Sequence, residues 1–176
     1  MMREDNQIKT KDMTYIAAGI AALISGGILI YQISSIFVIP GVKYIFMAPY
    51  LSLIIYILMS KIKLKHSVLW IGGVFGFVMI AMNVFMTISI VSTAILTELS
   101  ILFIQKSNIK CILGATLFSG YAGLCGLIIS KYFVGQVFAE ISLFGIVMTT
   151  LICSLFGFVG GKLGQRILIY INRGHK

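Results

Sequence analysis

Charge is scarce in this sequence, and acidic charge is scarcest. Only five of the 176 residues are Asp or Glu, against fourteen Lys or Arg, and charged residues make up 11% of the chain. Hydrophobic residues make up 59%, and the mean hydropathy is +1.04. An average soluble domain is about 25% charged. The composition therefore indicates an integral membrane protein, in which the positive charges mark the ends of apolar segments and not a nucleic-acid interface.

The sequence also lacks the short motifs of common catalytic sites. It contains no HExxH, no GxSxG and no P-loop, and no two carboxylates share one face of a predicted helix. The cysteines have no CxxC spacing and lie inside apolar segments, which is typical of small buried side chains; they are Cys111, Cys125 and Cys153. We therefore expect no enzymatic activity, no cofactor and no metal.

The stretch Ser67–Gln105 organises the rest of the chain, because it is long and holds a single charge, Glu98. A bilayer core about 30 Å thick needs about 20 residues of apolar helix. The stretch is long enough to cross, to turn near Asn83–Thr87 and to cross back. Lysines precede and follow it, which predicts that both of its ends face the cytoplasm.

The remaining apolar segments bring the expected number of transmembrane helices to six. They are predicted at Met13–Ile36, Ile45–Ser60 (or from near Val42), Ser67–Val84, Ile88–Gln105, Cys111–Ser130 and Ile141–Gly161. With the N and C termini cytoplasmic, only two of the fourteen Lys and Arg residues fall outside, Lys43 and Lys131, as the positive-inside rule requires. The predicted architecture is an all-α membrane domain at 13–171, with cytoplasmic segments at 1–12 and 172–176.

Glu98 is the one acidic residue predicted inside a span, near the middle of Ile88–Gln105. A charge at that depth costs at least about 2.5 kcal/mol, so the side chain must face a partner, water or a cavity. Two interpretations stay open. Glu98 either makes a structural hydrogen bond to a neighbouring helix or takes part in function.

Other polar residues are predicted in the outer half of the membrane, where a few convergent polar groups among apolar walls would form a ligand pocket. The candidate ligand-binding residues are Tyr44, Asn83, Tyr121, Lys131, Tyr132, Gln136 and Glu140, with Glu98 as a deeper floor. Anchoring at the membrane interface is the alternative role for Lys131 and Glu140. Anchoring is also the role expected for Trp70, which lies beside the basic loop.

Small residues recur at helical spacing in the first and last spans, a pattern that lets helix backbones approach closely in lipid. In the first span they are Ala17, Ala18, Ala21 and Ala22, and in the last they are Gly157, Gly160, Gly161 and Gly164. Close packing is the interpretation favoured for both. A flexible joint is the alternative for the glycines.

With these features in view, the chain resembles the substrate-binding S components of energy-coupling factor (ECF) transporters, which share six helices, cytoplasmic termini and a small-residue motif in the first helix. The segments TAILTELSILFIQKSNIK and LICSLFGFVGGKLGQRIL are similar to the Trep_Strep or MptD-like group of S components. The matching positions are Glu98, Gly160, Gly161, Gly164 and Leu168. The resemblance covers Thr93–Ile171 and the first helix.

This resemblance implies a function, partners and a location. An S component in the plasma membrane captures a small nutrient, such as a vitamin or its precursor, from outside. It then docks onto a transmembrane T subunit with two cytosolic ATPases, here through Ala17, Ala18, Ala21 and Ala22, and releases its ligand inside. Nucleic acid is not an expected partner. The alternative is a stand-alone membrane carrier or an assembly or scaffold protein.

Overall fold

The computed structural model describes residues 10–34, 36–37, 41–62, 64, 66–104, 107–133 and 141–174. Within these residues every regular element is an α-helix, and there are six of them, which confirms the predicted all-α fold. The helices are α1 Thr10–Ser34, α2 Val42–Lys61, α3 Ser67–Met79, α4 Val84–Ile101, α5 Ser107–Phe133 and α6 Leu143–Gly174.

Five of these helices are long and apolar enough to cross a membrane, with mean hydropathies between 1.8 and 2.1. The exception is α3, which is apolar but has only 13 residues. At 1.5 Å per residue it is about 20 Å long, shorter than a hydrocarbon core about 30 Å thick. The membrane-protein class is thus supported by five helices, while a sixth crossing by α3 remains a prediction.

The hairpin of α3 and α4 turns earlier than predicted. The turn lies at Ile80–Asn83, and α4 starts at Val84 instead of Ile88. Asn83 is the reason, because its side-chain oxygen accepts a hydrogen bond of 2.8 Å from the backbone N–H of Phe85. That bond caps one of the free N–H groups at a helix start.

The start of α2 is the earlier of the two positions that the sequence allowed. The helix begins at Val42, directly after Gly41, whose φ of 95° is left-handed and strongly favours glycine. Pro49 lies inside α2 without ending it.

Hydroxyl side chains within the helices bond to the preceding turn. Thr93 donates to the carbonyl of Ser89 at 2.8 Å, and Thr97 donates to the carbonyl of Thr93 at 2.7 Å. Both threonines are buried. A buried hydroxyl without a partner would be unfavourable, and this local bond gives it one within its own helix.

The helices form a ring of neighbours with a tight side and a loose side. Helices α2, α5 and α6 pack together closely, α4 packs on α5, and α3 packs on α4. Helix α1 packs on α2 and meets α3 only loosely. The last contact closes the ring, so the loose side is the junction of α1 and α3.

Glycines of α6 bring it against α2 and α5. A methyl group at Gly160 would overlap the backbone of Pro49, and one at Gly157 would overlap the side chain of Ser119. Ser52 donates a hydrogen bond to the carbonyl of Gly157. Helix α6 continues through these glycines to Gly174, which supports close packing over a flexible joint.

Because successive helices run in opposite directions, the basic residues near the helix ends fall into two groups, one at each end of the bundle. The end that we call the basic end carries Lys61 at the end of α2, Lys110 at the start of α5, and Lys162 and Arg166 towards the end of α6. The other end, called the opposite end, carries Lys43 and Lys131. This is the asymmetry on which the predicted topology was based.

Candidate functional site

Glu98 lies at the basic end and not near the middle of a span, so that prediction was wrong. Helix α4 ends at Ile101 instead of Gln105, which puts Glu98 in its last turn. The side chain is buried, and its Oε1 atom lies 3.2 Å from Nδ1 of His66. Its Oε2 atom has no hydrogen-bond partner in the part of the chain that the structure describes.

The bond between His66 and Glu98 ties the start of α3 to the end of α4. His66 directly precedes α3, and its side chain is 45% exposed, while that of Glu98 is 4% exposed. The buried side chain of Glu98 is therefore bonded to His66, which is partly exposed at the surface of the bundle. His66 was not among the predicted site residues, although the predicted hairpin places residues near its two free ends opposite each other.

Two of the predicted ligand-binding residues, Tyr44 and Lys131, lie together at the opposite end. The hydroxyl of Tyr44 is 3.3 Å from Oγ of Ser130, which joins α2 to α5. The neighbouring Lys131 donates a hydrogen bond of 2.7 Å to the carbonyl of Ile141, just before α6. The ring of Tyr44 occupies space that a side chain at Gly126 would need.

Lys43 and Tyr31 extend this group and were not predicted. Nζ of Lys43 lies 4.4 Å from the ring centroid of Tyr31 and 3.2 Å from its hydroxyl. A cation at that distance from an aromatic face is attracted to it. We call these five residues the opposite-end cluster, namely Tyr31, Lys43, Tyr44, Ser130 and Lys131.

The other predicted ligand-binding residues do not join this cluster. Tyr121 points away from it, because its hydroxyl is 2.9 Å from Oγ of Ser100 in the last turn of α4. Asn83 caps α4, and Tyr132 is 74% exposed at the end of α5. Gln136 and Glu140 fall outside the described residues.

Helix α1 carries small residues on two faces, and α2 covers only one of them. Gly19 lies against Leu58, and Gly26 lies against Tyr50, whose hydroxyl donates a hydrogen bond of 2.6 Å to the carbonyl of Ala22. Ala22 is half-buried beside this contact. The second face is exposed and consists of Ala17, Ala18 and Ala21; we call it the alanine face.

Among the described residues, no group of three or more His, Cys, Asp or Glu side chains could hold a metal ion. Comparisons with protein-family models, with curated proteins and with solved structures give no match to this chain.

Proposed function

We propose that this protein is the substrate-binding S component of an ECF-type importer in the plasma membrane. It captures a small nutrient of the vitamin or vitamin-precursor class outside the cell and releases it inside after docking to a T subunit and two ATPases. The observation that carries the proposal is the alanine face of α1, which no described part of the chain covers.

The alanine face suits a helix–helix contact in lipid. Apolar side chains gain nothing by leaving lipid for another apolar surface, so association there depends on close backbone approach and van der Waals packing. Small side chains permit that approach. Within α1, Gly19 and Gly26 already serve the contact with α2, which leaves Ala17, Ala18 and Ala21 for a partner.

The charge distribution orients the protein in this proposal. The basic end faces the cytoplasm, where the ATPases would be, and the opposite end faces outward. The ligand would therefore bind at the opposite-end cluster, where Tyr44 offers an aromatic ring and Lys43 and Lys131 offer positive charge. Such a site favours a flat solute that carries a negative or strongly polar group.

The proposal is tested by co-expressing the protein with a T subunit and its two ATPases and purifying the complex. Ala21→Trp should abolish co-purification, since the indole prevents close approach, and should leave the mass-spectrometric profile of retained small molecules unchanged. Val147→Trp is the matched control, because Val147 of α6 is 55% exposed but lies away from the alanine face.

Two results would contradict the proposal. Normal complex formation by Ala21→Trp would show that the alanine face is not the docking surface. Transport of a retained solute by the protein alone in liposomes would favour the stand-alone carrier.

A further inference from the structure

The surface of α3 carries two apolar grooves, one on each side of a ridge formed by Trp70 and Val74. The larger groove has a volume of about 530 Å³ and the smaller one about 150 Å³. Besides the ridge, the larger groove is lined by His66, Leu69, Gly73 and Phe77. The smaller groove lies between α3 and α1 and is lined by Met13, Ile16, Ala17 and Leu64.

The larger groove has the length of one lipid chain. It follows α3 from His66 at the basic end to Phe77, which is about 16 Å at 1.5 Å per residue. One leaflet of a hydrocarbon core about 30 Å thick has a depth of about 15 Å. Gly73 forms its floor, because no atom lies within 4 Å of the position that a Cβ atom would occupy there.

The polar groups of the site lie at the end where a lipid headgroup would be. Nδ1 of His66 is bonded to Glu98, so Nε2 is the ring nitrogen available to a group outside, and in the imidazolium it donates a hydrogen bond. Trp70 is 44% exposed, and its indole N–H can only donate. Lys61 and Lys110 add positive charge at this end.

We propose that the larger groove binds one acyl chain of an anionic phospholipid and the smaller groove binds the first carbons of the other, with the Trp70–Val74 ridge between the chains and the phosphate beside His66. Trp70 and Val74 line both grooves and so separate them, which suits two separate acyl chains better than one helix about 10 Å wide. Basic pockets between helices are known to bind anionic headgroups. The inference requires only that the protein lies in a bilayer. The smaller groove shares Ala17 with the alanine face, so a T subunit docked there would take the place of the second acyl chain.

Trp70 is the only tryptophan of the chain, so it reports on this site alone. The purified protein would be reconstituted in phosphatidylcholine vesicles. One series would contain increasing fractions of brominated phosphatidylglycerol, and the other would contain increasing fractions of brominated phosphatidylcholine. Brominated acyl chains quench indole fluorescence on contact. Brominated phosphatidylglycerol should quench at lower mole fractions, with a preference of about fivefold, the effect expected of one basic group at an anionic surface.

Gly73→Phe should abolish this preference, since a Cβ atom at Gly73 meets no other atom within 4 Å and the ring would extend into the larger groove. Gly73→Ala adds one methyl group and is the control that should retain it. The fluorescence spectrum and the melting temperature of each variant establish that it is folded.

Three results would overturn the inference. Equal quenching by both brominated lipids would mean an unselective lipid annulus. No quenching by either would mean that another protein surface covers Trp70. An unchanged preference in Gly73→Phe would mean that the anionic lipid binds elsewhere.

Discussion

The side of the bundle built by α2, α5 and α6 differs from the side where α1 meets α3. On the first side, Gly157 and Gly160 bring helix backbones into contact, and Ser52 bonds across the interface. On the second side, alanines are exposed and two grooves remain open. Small residues occur on both sides, so their presence does not reveal whether a contact is made within the chain. The small residues that no neighbouring helix covers are therefore the ones available to other molecules.

The largest effect is expected from Gly160→Leu on the tight side. The new side chain would meet the backbone of Pro49, which cannot rotate away as a side chain can. We expect a loss of about 3 kcal/mol in the free energy of unfolding, the upper end of the usual cost of overpacking, seen as a loss of monodisperse protein in detergent. Gly73→Leu on α3 is the control, and it should fold normally. Equal yields of monodisperse protein for Gly160→Leu and Gly73→Leu would contradict the claim that one side of the bundle is packed more tightly than the other.

The next effect concerns the bond that closes the α3–α4 hairpin. His66→Ala leaves the buried Glu98 carboxylate without its partner, which should lower the free energy of unfolding by about 1–3 kcal/mol. The double variant His66→Ala, Glu98→Leu should recover most of that loss, because no buried polar group is then left without its partner. Thermal unfolding of both variants measures this. A double variant no more stable than His66→Ala would show that the loss does not come from leaving Glu98 without its partner.

A smaller effect is expected at the other end of the same hairpin. Asn83→Ala removes the cap of α4 and should reduce stability by about 1 kcal/mol. Asn83→Ser preserves a capping oxygen and should remain close to the unmodified protein. The comparison of the two melting temperatures tests the cap, and identical values would contradict it.

The smallest effect separates two tyrosines that the sequence assigned to one pocket. Tyr44→Phe removes a hydroxyl from the opposite-end cluster, and a single neutral hydrogen bond is worth about 0.5–1.5 kcal/mol. We expect the amount of small molecule retained by purified protein to fall by about two- to tenfold. Tyr121→Phe should not change it, because that hydroxyl bonds to Ser100 near the basic end. The reverse pattern would move the ligand site to Tyr121.

The number and order of the helices were predictable because apolar runs and lysines mark them directly. The boundaries of α4 were less predictable, because Ser67–Gln105 contains no charge other than Glu98 to indicate depth. Asn83 is a residue type that often caps the start of a helix and so could have indicated where α4 begins, but it was assigned to the ligand pocket. Helix α6 also continues beyond Gly161, since the apolar residues after Lys162 and Arg166 are compatible with helix.

The arrangement of the candidate site was less predictable than the fold. In lipid, the face of a helix that meets its neighbours is as apolar as the face that meets acyl chains. The sequence therefore could not show that Tyr121 turns towards Ser100 while Tyr44 turns towards Ser130. The pairing of His66 with Glu98 likewise depends on where the hairpin turns, which the apolar pattern alone left uncertain by about a helical turn.

Photo-crosslinking in intact cells tests the central claim, that the uncovered face of α1 is a docking surface. A photoreactive amino acid would replace Ala21 on the alanine face or Leu155 on the outer face of α6, which is 69% exposed. We expect a crosslink from position 21 to a T subunit, identified by mass spectrometry, and none from position 155. Crosslinks to the T subunit at both positions, or at neither when the T subunit is present, would contradict it.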